Sequence, residues 1–158
     1  MDHAVPPSAA HPPPGRLIAR GVCRALAARQ GFACAEEVTL ATGLRVDVMA
    51  LGPKGEVWVV ECKSCRADFT SDAKWQGYLD WADRFFWAVP PDFPSEILPS
   101  GTGLILADGF DAEIVVPAPL RKLPAARRRA LTLRFAHHAA RRAHAARDPG
   151  AALSRDAP

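Results

Sequence analysis

Apolar residues recur along this chain at two spacings, which predict alternating helices and strands. Four of them keep the i, i+4, i+7, i+8 spacing of a buried helix face, at Ile18, Val22, Ala25 and Leu26. Other segments alternate apolar and polar residues or run continuously apolar, as strands do. The whole pattern predicts helices over 16–30, about 70–83 and 124–147, and strands over 34–40, 44–51, 56–63, 85–89, 102–107 and 113–116. This alternation is typical of an α/β fold.

The second and third predicted strands form a hairpin whose register decides which side chains meet. A turn over residues 52–56 sets Asp47 directly opposite Glu61. A turn over 52–55 slips the register by one residue and moves Asp47 to the opposite face from Glu61. Glu61 and Lys63 share one face with either turn, because side chains alternate along a strand.

The longer turn brings two carboxylates together within a largely apolar hairpin. Like charges directly opposite each other destabilise a sheet, and a partly buried carboxylate needs a cation nearby. A divalent metal ion between Asp47 and Glu61, with Lys63 beside it, is the simplest compensation. The alternative is a surface Glu–Lys pair at the end of a strand, with Asp47 exposed. Val57 and Val59 share the face of Glu61, which favours the metal site.

The residues of this hairpin resemble a nuclease signature. Asp47, followed after the hairpin turn by Glu61-Cys62-Lys63, is similar to the motif of the PD-(D/E)XK nuclease superfamily, although Val46 replaces the proline of its name. A longer stretch resembles the MmcB family of putative bacterial DNA-repair nucleases. The matching pieces are Arg45–Asp47, Gly55–Ser64, Asp83–Pro94, Gly103–Asp108 and Arg129–Phe135.

The resemblance implies a fold, a site and a chemistry. The fold would be a restriction-endonuclease-like core of order α-β-β-β-α-β, with a mixed central sheet flanked by helices, an extra hairpin and a long C-terminal helix. Asp47, Glu61 and the backbone carbonyl of Cys62 would bind Mg²⁺ or Mn²⁺, since Mg²⁺ keeps several waters and needs few carboxylates. Lys63 would orient the attacking water or stabilise the developing charge, and a lowered pKa would let it act as a base.

Two more charged residues are candidates for the same site. Related nucleases often add a third acidic ligand, for which Glu37 is preferred to Glu36 because it lies further into its strand. The alternative for Glu37 is a capping or loop carboxylate. Lys74 lies on the second predicted helix, where it could reach a phosphate or simply belong to a solvated face.

Basic residues are concentrated in the last predicted helix. Residues 121–147 contain nine Lys or Arg and no Asp or Glu, whereas the rest of the chain has 11 basic and 17 acidic residues. Several of these arginines fall on or beside one helical stripe, which can follow the phosphate backbone of DNA. The alternative is a solvated helix that packs partly through Leu131 and Phe135. This basic stripe comprises Arg127, Arg128, Arg134, Arg141 and Arg142.

Length and composition indicate one small domain. A chain of 158 residues, 49% of them apolar, can bury its own core. It has neither an apolar run of 18 residues nor the start of a secretory signal, so no membrane partner is expected. We expect a single nuclease-like domain over 16–147 between flexible tails at 1–15, which is rich in proline, and 148–158.

The four cysteines favour reduced thiols in the cytoplasm. Cys62 and Cys65 form a C-x-x-C pair, but a structural zinc site needs four ligands, and Cys23 and Cys34 lack the spacing to complete it. A buried thiol at Cys62 is therefore the preferred interpretation. If the protein binds bacterial DNA, we expect it to be associated with the nucleoid in the cytoplasm.

Three functions are compatible with these patterns. The first is a Mg²⁺-dependent deoxyribonuclease acting in DNA repair, a role that comes from the resemblance. The second is a non-catalytic DNA-binding module of nuclease fold that recruits other repair proteins. The third is an RNA-directed or toxin-like nuclease. The resemblance also makes DNA the expected partner, and nucleases of this size often form homodimers to cut two strands.

Overall fold

The structure is a computed structural model that describes residues 12–150. Within these residues the chain forms three α-helices and six strands, close to the predicted positions except in one segment. Most of the two predicted tails lies outside the described residues. In chain order the elements are α1 (Pro14–Gln30), β1 (Ala33–Thr39), β2 (Arg45–Leu51), β3 (Val57–Cys62), α2 (Arg66–Thr70), a 3₁₀ helix (Trp75–Trp81), β4 (Arg84–Val89), a short 3₁₀ turn (Ser95–Ile97), β5 (Gly103–Ala107), β6 (Ala112–Val116) and α3 (Ala125–Arg147).

The strands form one mixed sheet in the order β1-β2-β3-β4-β5-β6. Strands β1, β2 and β3 are antiparallel, β3, β4 and β5 are parallel, and β6 returns antiparallel to β5. The predicted α/β class with a mixed sheet, an added hairpin and a long C-terminal helix is confirmed.

Helices cover both faces of the sheet. On one face, α1 packs through Ile18, Val22 and Leu26 against buried residues of the strands. On the other face, the 3₁₀ helix contributes Tyr78, and α3 contributes Leu131 and Phe135. Burying both faces explains why β4 is apolar along nearly its whole length.

The turn between β2 and β3 spans residues 52–56, which is the longer of the two predicted turns. Gly52 and Glu56 are joined by a backbone hydrogen bond of 2.8 Å, and the N–H of Gly55 donates to the carbonyl of Gly52 at 2.9 Å. Gly55 has φ 83°, a left-handed conformation that glycine adopts without steric cost. Gly52 and Glu56 therefore close a three-residue loop, Pro53–Gly55, inside the turn over 52–56. Leu51 pairs with Val57, so the register that sets Asp47 opposite Glu61 is confirmed.

The predicted helix over about 70–83 is wrong. A five-residue α2 precedes it, and Trp75–Trp81 then forms a 3₁₀ helix. Between these two elements the carboxylate of Asp72 accepts a hydrogen bond from the N–H of Lys74 at 2.9 Å. This local bond forms a non-helical turn, which separates α2 from the 3₁₀ helix. Apolar residues three apart fit a 3₁₀ helix as well as an α-helix, so the spacing alone did not separate the two.

No helix among the described residues is long and apolar enough to span a membrane.

Candidate metal centre

Asp47 and Glu61 meet where the backbone pairing of β2 and β3 gives way. The last backbone partners before this point are Val48 and Val60. Beyond them the N–H of Asp47 donates to Glu61 Oε1 at 3.1 Å, and the N–H of Cys62 donates to Asp47 Oδ2 at 2.8 Å. Each carboxylate thus accepts a backbone N–H from the neighbouring strand, and this holds both at fixed positions.

Burial makes the ionised forms of Asp47 and Glu61 energetically unfavourable. Glu61 is only 3% exposed, and Asp47 is half-buried. Burial, followed by the nearby charge of Asp47, raises the pKa of Glu61 to about 8. Burial also raises the pKa of Asp47, although the hydrogen bond from Cys62 and the charge of Lys63 oppose the shift. Two adjacent carboxylates in this state would be stabilised by a bound cation.

Lys63 lies on the sheet face of Glu61, but its ammonium group is paired elsewhere. Lys63 Nζ lies 2.7 Å from Asp72 Oδ2, and each side chain is about 10% exposed. Burial favours the neutral form of Lys63, yet the hydrogen bond and charge of Asp72 outweigh it and raise the pKa. With Asp72 as its partner Lys63 is held in the charged form, which favours a role for it in stabilising charge over a role as a base.

The donor set fits a hard cation that keeps water ligands. Asp47 and Glu61 supply two carboxylates, while Lys63 is engaged by Asp72. Within residues 12–150, no three His, Cys, Asp or Glu side chains converge as a metal-binding group. Two carboxylates, a backbone carbonyl and water suit Mg²⁺ or Mn²⁺, whereas zinc favours nitrogen and sulfur ligands.

The predicted third carboxylate, Glu37, faces a different set of residues. It lines a cleft of about 220 Å³ together with Asp47, but its carboxylate is approached by three arginines at 3.9 Å. Its backbone has φ 56°, which is uncommon for a residue with a side chain. The arginines are Arg16, Arg45 and Arg142.

Most of the basic stripe is occupied by contacts within the protein. Arg127 donates to the carbonyl of Asp80 at 2.6 Å and lies over the ring of Trp81. Arg134 donates to the carbonyl of Thr39 at 3.0 Å, and Arg142 to that of Glu36 at 3.4 Å. The last two bonds cover the outer edge of β1, where carbonyl groups have no neighbouring strand.

Arg128 has a structural role. Its guanidinium forms a two-pronged ion pair with Asp83, with N–O distances of 2.6 and 2.8 Å. The Asp83 carboxylate also accepts the N–H groups of Val57 and Leu123, which lie on β3 and just before α3. Arg128 is thus used to hold α3 against the sheet. Arg141 differs, because its side chain makes no hydrogen bond or ion pair with the part of the chain that the structure describes.

The remaining candidates occupy three settings. Lys74 is exposed beside the 3₁₀ helix, and Cys65 is also exposed. Cys62 is buried on the α1 face, away from Glu61, as predicted. Trp87 of β4 is fully buried, and its ring nitrogen Nε1 has no hydrogen-bond partner among the described residues.

Comparisons with known proteins decide the family. The profile described as "DNA repair protein MmcB-like" matches residues 7–150. The chain belongs to the MmcB-like DNA repair protein family. It is also similar to a solved structure, the SPO1766 protein of unknown function from Silicibacter pomeroyi. The two share 60% identity over 90% of this chain and 98% of the other, with a TM-score of 0.87. No curated protein matches the chain.

Sequence reasoning missed two acidic residues of this MmcB-like chain. Asp72 holds the ammonium of Lys63, and Asp83 holds Arg128. Asp83 carried one usable signal, because an acidic residue between the apolar Ala82 and the start of β4 must be paired when buried. Asp72 carried none, since its partner depends on how the chain returns to the sheet after α2.

Proposed function

We propose that this protein is a metal-dependent DNA endonuclease acting in DNA repair, with Mg²⁺ or Mn²⁺ held between Asp47 and Glu61. The observation that carries the proposal is Glu61. It is almost completely buried beside a second carboxylate, and the nearest lysine on its face is bound to Asp72 instead. Two adjacent buried carboxyl groups, whose ionisation burial makes unfavourable, are suited to a divalent cation that stabilises their charged forms.

Each residue has a defined task in this proposal. Asp47 is oriented by the N–H of Cys62, and Glu61 by the N–H of Asp47, so the carboxylates are positioned before substrate arrives. The carbonyl of Cys62 is the third proposed ligand. When bound, the cation would polarise a phosphoryl oxygen and lower the pKa of a bound water. Lys63 stays protonated and contributes positive charge toward the phosphate.

Membership of a DNA repair family and the order of elements support this assignment. From α1 through β4 the chain runs helix, three strands, helix and strand. This is the order expected for a restriction-endonuclease-like core of the PD-(D/E)XK superfamily. DNA is the proposed substrate, the bacterial cytoplasm and nucleoid the proposed location, and a homodimer or complex with other repair proteins the proposed assembly.

Cleavage of labelled DNA tests the proposal. Single-stranded, duplex, nicked and branched DNAs are incubated at low salt with Mg²⁺, Mn²⁺ or EDTA. The proposal predicts cleavage by the wild-type protein that EDTA abolishes. It also predicts loss of cleavage in Asp47→Ala, Glu61→Ala and Lys63→Ala, while Asp92→Ala, an exposed aspartate elsewhere, cleaves normally.

One observation favours a second candidate, a DNA-binding module that cuts nothing. Lys63 is paired with Asp72 and Glu61 is almost completely buried, so neither of these two side chains is exposed to a substrate in the folded chain. This candidate predicts salt-sensitive DNA binding that is unchanged in Glu61→Ala, and no cleavage of any DNA with either metal. Ribose-containing strands in the same assay test the RNA-directed alternative.

A further inference from the structure

Glu37 is held in an unusual position at the centre of three arginines. Arg16 from α1, Arg45 from β2 and Arg142 from α3 each place a guanidinium nitrogen 3.9 Å from its carboxylate. Glu37 has a left-handed backbone, which is unfavourable for a residue with a Cβ. Strain of this kind persists where the surroundings enforce it, and it is found preferentially at ligand sites.

The charges of this arginine cluster, Arg16, Arg45 and Arg142, are not balanced by Glu37. One carboxylate faces three guanidinium groups, and all three contacts are at the outer limit of an ion pair. The arginine side chains are 56–65% exposed, so each remains open to solvent on its other side. Ion pairs this long and this exposed contribute little to stability. Glu37 thus balances only part of the charge of the cluster, and the other carboxylates lining the adjoining cleft are those of Glu36 and Asp47.

The cluster lies between a large groove and the candidate metal centre. The groove, of about 980 Å³, runs between β1 and α3 and is lined by Glu37 and Arg45 together with Arg134, Arg141 and Arg142 of the basic stripe. The cleft of about 220 Å³ shares Glu37 with the groove and contains Arg16 and Asp47. A strand lying in the groove would therefore pass the arginine cluster before it reaches Asp47.

We propose that Arg16, Arg45 and Arg142 bind a backbone phosphate of DNA close to the phosphate that is cut, and that Glu37 occupies this site until DNA displaces it. The position relative to the cut rests on the function proposed above. Guanidinium groups bind phosphate oxygens with paired, charge-assisted hydrogen bonds. The three arginines come from three different elements, so the fold fixes their spacing before DNA binds.

This role for Glu37 is opposite in sign to the third-ligand role that its position in β1 first suggested. A metal ligand helps the reaction, so its removal weakens metal binding and cleavage. An internal competitor of phosphate hinders binding, so its removal strengthens the hold on DNA. Glu37→Gln keeps the size of the side chain and separates the two roles by the direction of its effect.

Fluorescence anisotropy with a labelled DNA duplex, in EDTA and over a series of salt concentrations, tests the inference without any need for cleavage. Glu37→Gln is expected to bind about threefold more tightly, the magnitude of an exposed ion pair. Arg45→Gln and Arg16→Gln are each expected to bind more weakly, with a log–log salt slope shallower by about 0.9 for one lost phosphate contact. Glu113→Gln on β6 and Arg24→Gln on α1 are exposed controls that make the same changes in net charge.

Several outcomes would overturn the inference. They are no binding of DNA by the wild-type protein, an affinity in Glu37→Gln equal to or below that of Glu113→Gln, or a salt slope in Arg45→Gln equal to that of Arg24→Gln. Competition by inorganic phosphate at the concentration of DNA phosphate would identify a site for free phosphate instead. Melting temperatures equal to that of the wild-type protein exclude misfolding. If cleavage depends on Glu61 but the DNA affinities of these variants are unchanged, only the role of the arginine cluster is refuted. If the affinities change as predicted but no DNA is cut, only the proposed nuclease activity is refuted.

Discussion

The backbone N–H of Asp47 donates to the carboxylate of Glu61 at 3.1 Å, just beyond Val48 and Val60, the last backbone partners of β2 and β3. Regular pairing of the two strands ends here, and hydrogen bonds to the two carboxylates connect them instead. Such a departure from regular pairing is expected at functional sites rather than in a structural core.

The stability of the metal-free protein should fall as pH rises, because of Glu61. Its pKa is about 8 in the folded protein, above the ordinary value of about 4.3. The folded state therefore binds this proton more tightly, and the resulting stability is complete below about pH 4.3 and lost as pH rises through 8. In EDTA, the free energy of unfolding should decrease by a few kcal/mol across this range, since each unit corresponds to about 1.36 kcal/mol.

Urea titrations between pH 5 and 9 measure this change. Glu61→Gln should flatten the profile and be more stable than the wild-type protein at pH 8.5, because no buried charge forms. Equal slopes for the two proteins would show that Glu61 does not titrate as described.

Divalent metal should restore the stability that ionisation removes. Mg²⁺ that binds Asp47 and Glu61 in the folded state alone stabilises it by about 2.7 kcal/mol at 100 times its dissociation constant. The melting temperature at pH 8 should rise with Mg²⁺ for the wild-type protein and stay constant for Asp47→Asn and Glu61→Gln. Asp92→Asn serves as the control and should respond like the wild-type protein. A rise of equal size in all four proteins would place the ion elsewhere.

The ion pair of Lys63 and Asp72 should behave as a coupled unit. Asp72→Asn removes the anion that is paired with a buried ammonium, so the pKa of Lys63 should fall, because burial is then opposed only by the more distant charges of Glu61 and Asp68. Isotope-labelled lysine followed by NMR over pH measures this directly. Adding Lys63→Met to Asp72→Asn should recover part of the lost stability, since removing both partners avoids a lone buried charge. Strictly additive losses in the double variant would argue against coupling.

The ion pair of Asp83 and Arg128 should be important for stability. The buried Asp83 carboxylate is surrounded by the guanidinium of Arg128 and the N–H groups of Val57 and Leu123. Breaking such a pair by removing one partner costs about 3 kcal/mol or more. Asp83→Ala should lower the urea midpoint accordingly, while the exposed Asp80→Ala should not.

Asp83 also predicts a loss of stability in acid. Burial opposes its ionisation, but the hydrogen bond from Arg128 and those from Leu123 and Val57 lower its pKa below the usual value. Stability from this group is therefore present above about pH 3.9 and is lost as pH falls through the lowered pKa. An acid titration of Asp83→Asn should show a weaker decline below pH 4 than that of the wild-type protein.

The hairpin shows what the sequence could predict about the site. Alternation along β3 fixed the shared face of Glu61 and Lys63, but the position of Asp47 depended on one residue of turn length. Gly55, in its left-handed conformation, selects the three-residue loop and so the register. The register depends on the residues of the turn itself, and for this reason the sequence could reduce it to two alternatives.

The basic stripe shows what the sequence could not predict. Spacing along α3 grouped its arginines into one stripe, but it could not show which residues each arginine contacts. Arg134 and Arg142 meet carbonyl groups of β1 about a hundred positions earlier in the chain, and Arg128 meets Asp83. Such partners are set by the packing of elements that are distant in sequence, so the spacing of residues along one helix cannot predict them. The Lys63–Asp72 pair was hidden for a similar reason, because it depends on the turn that replaced the predicted helix.

The most direct test is DNA cleavage by the wild-type protein and Glu61→Gln at equal DNA occupancy. Both proteins are first brought to the same fraction of bound DNA by anisotropy in Ca²⁺ or EDTA, and Mg²⁺ or Mn²⁺ is then added in excess. We predict that the wild-type protein cuts its bound DNA and that Glu61→Gln holds the DNA without cutting it. Equal cleavage by the two proteins, or none by either with any DNA structure, would contradict the assignment of Asp47 and Glu61 as the metal centre of a nuclease.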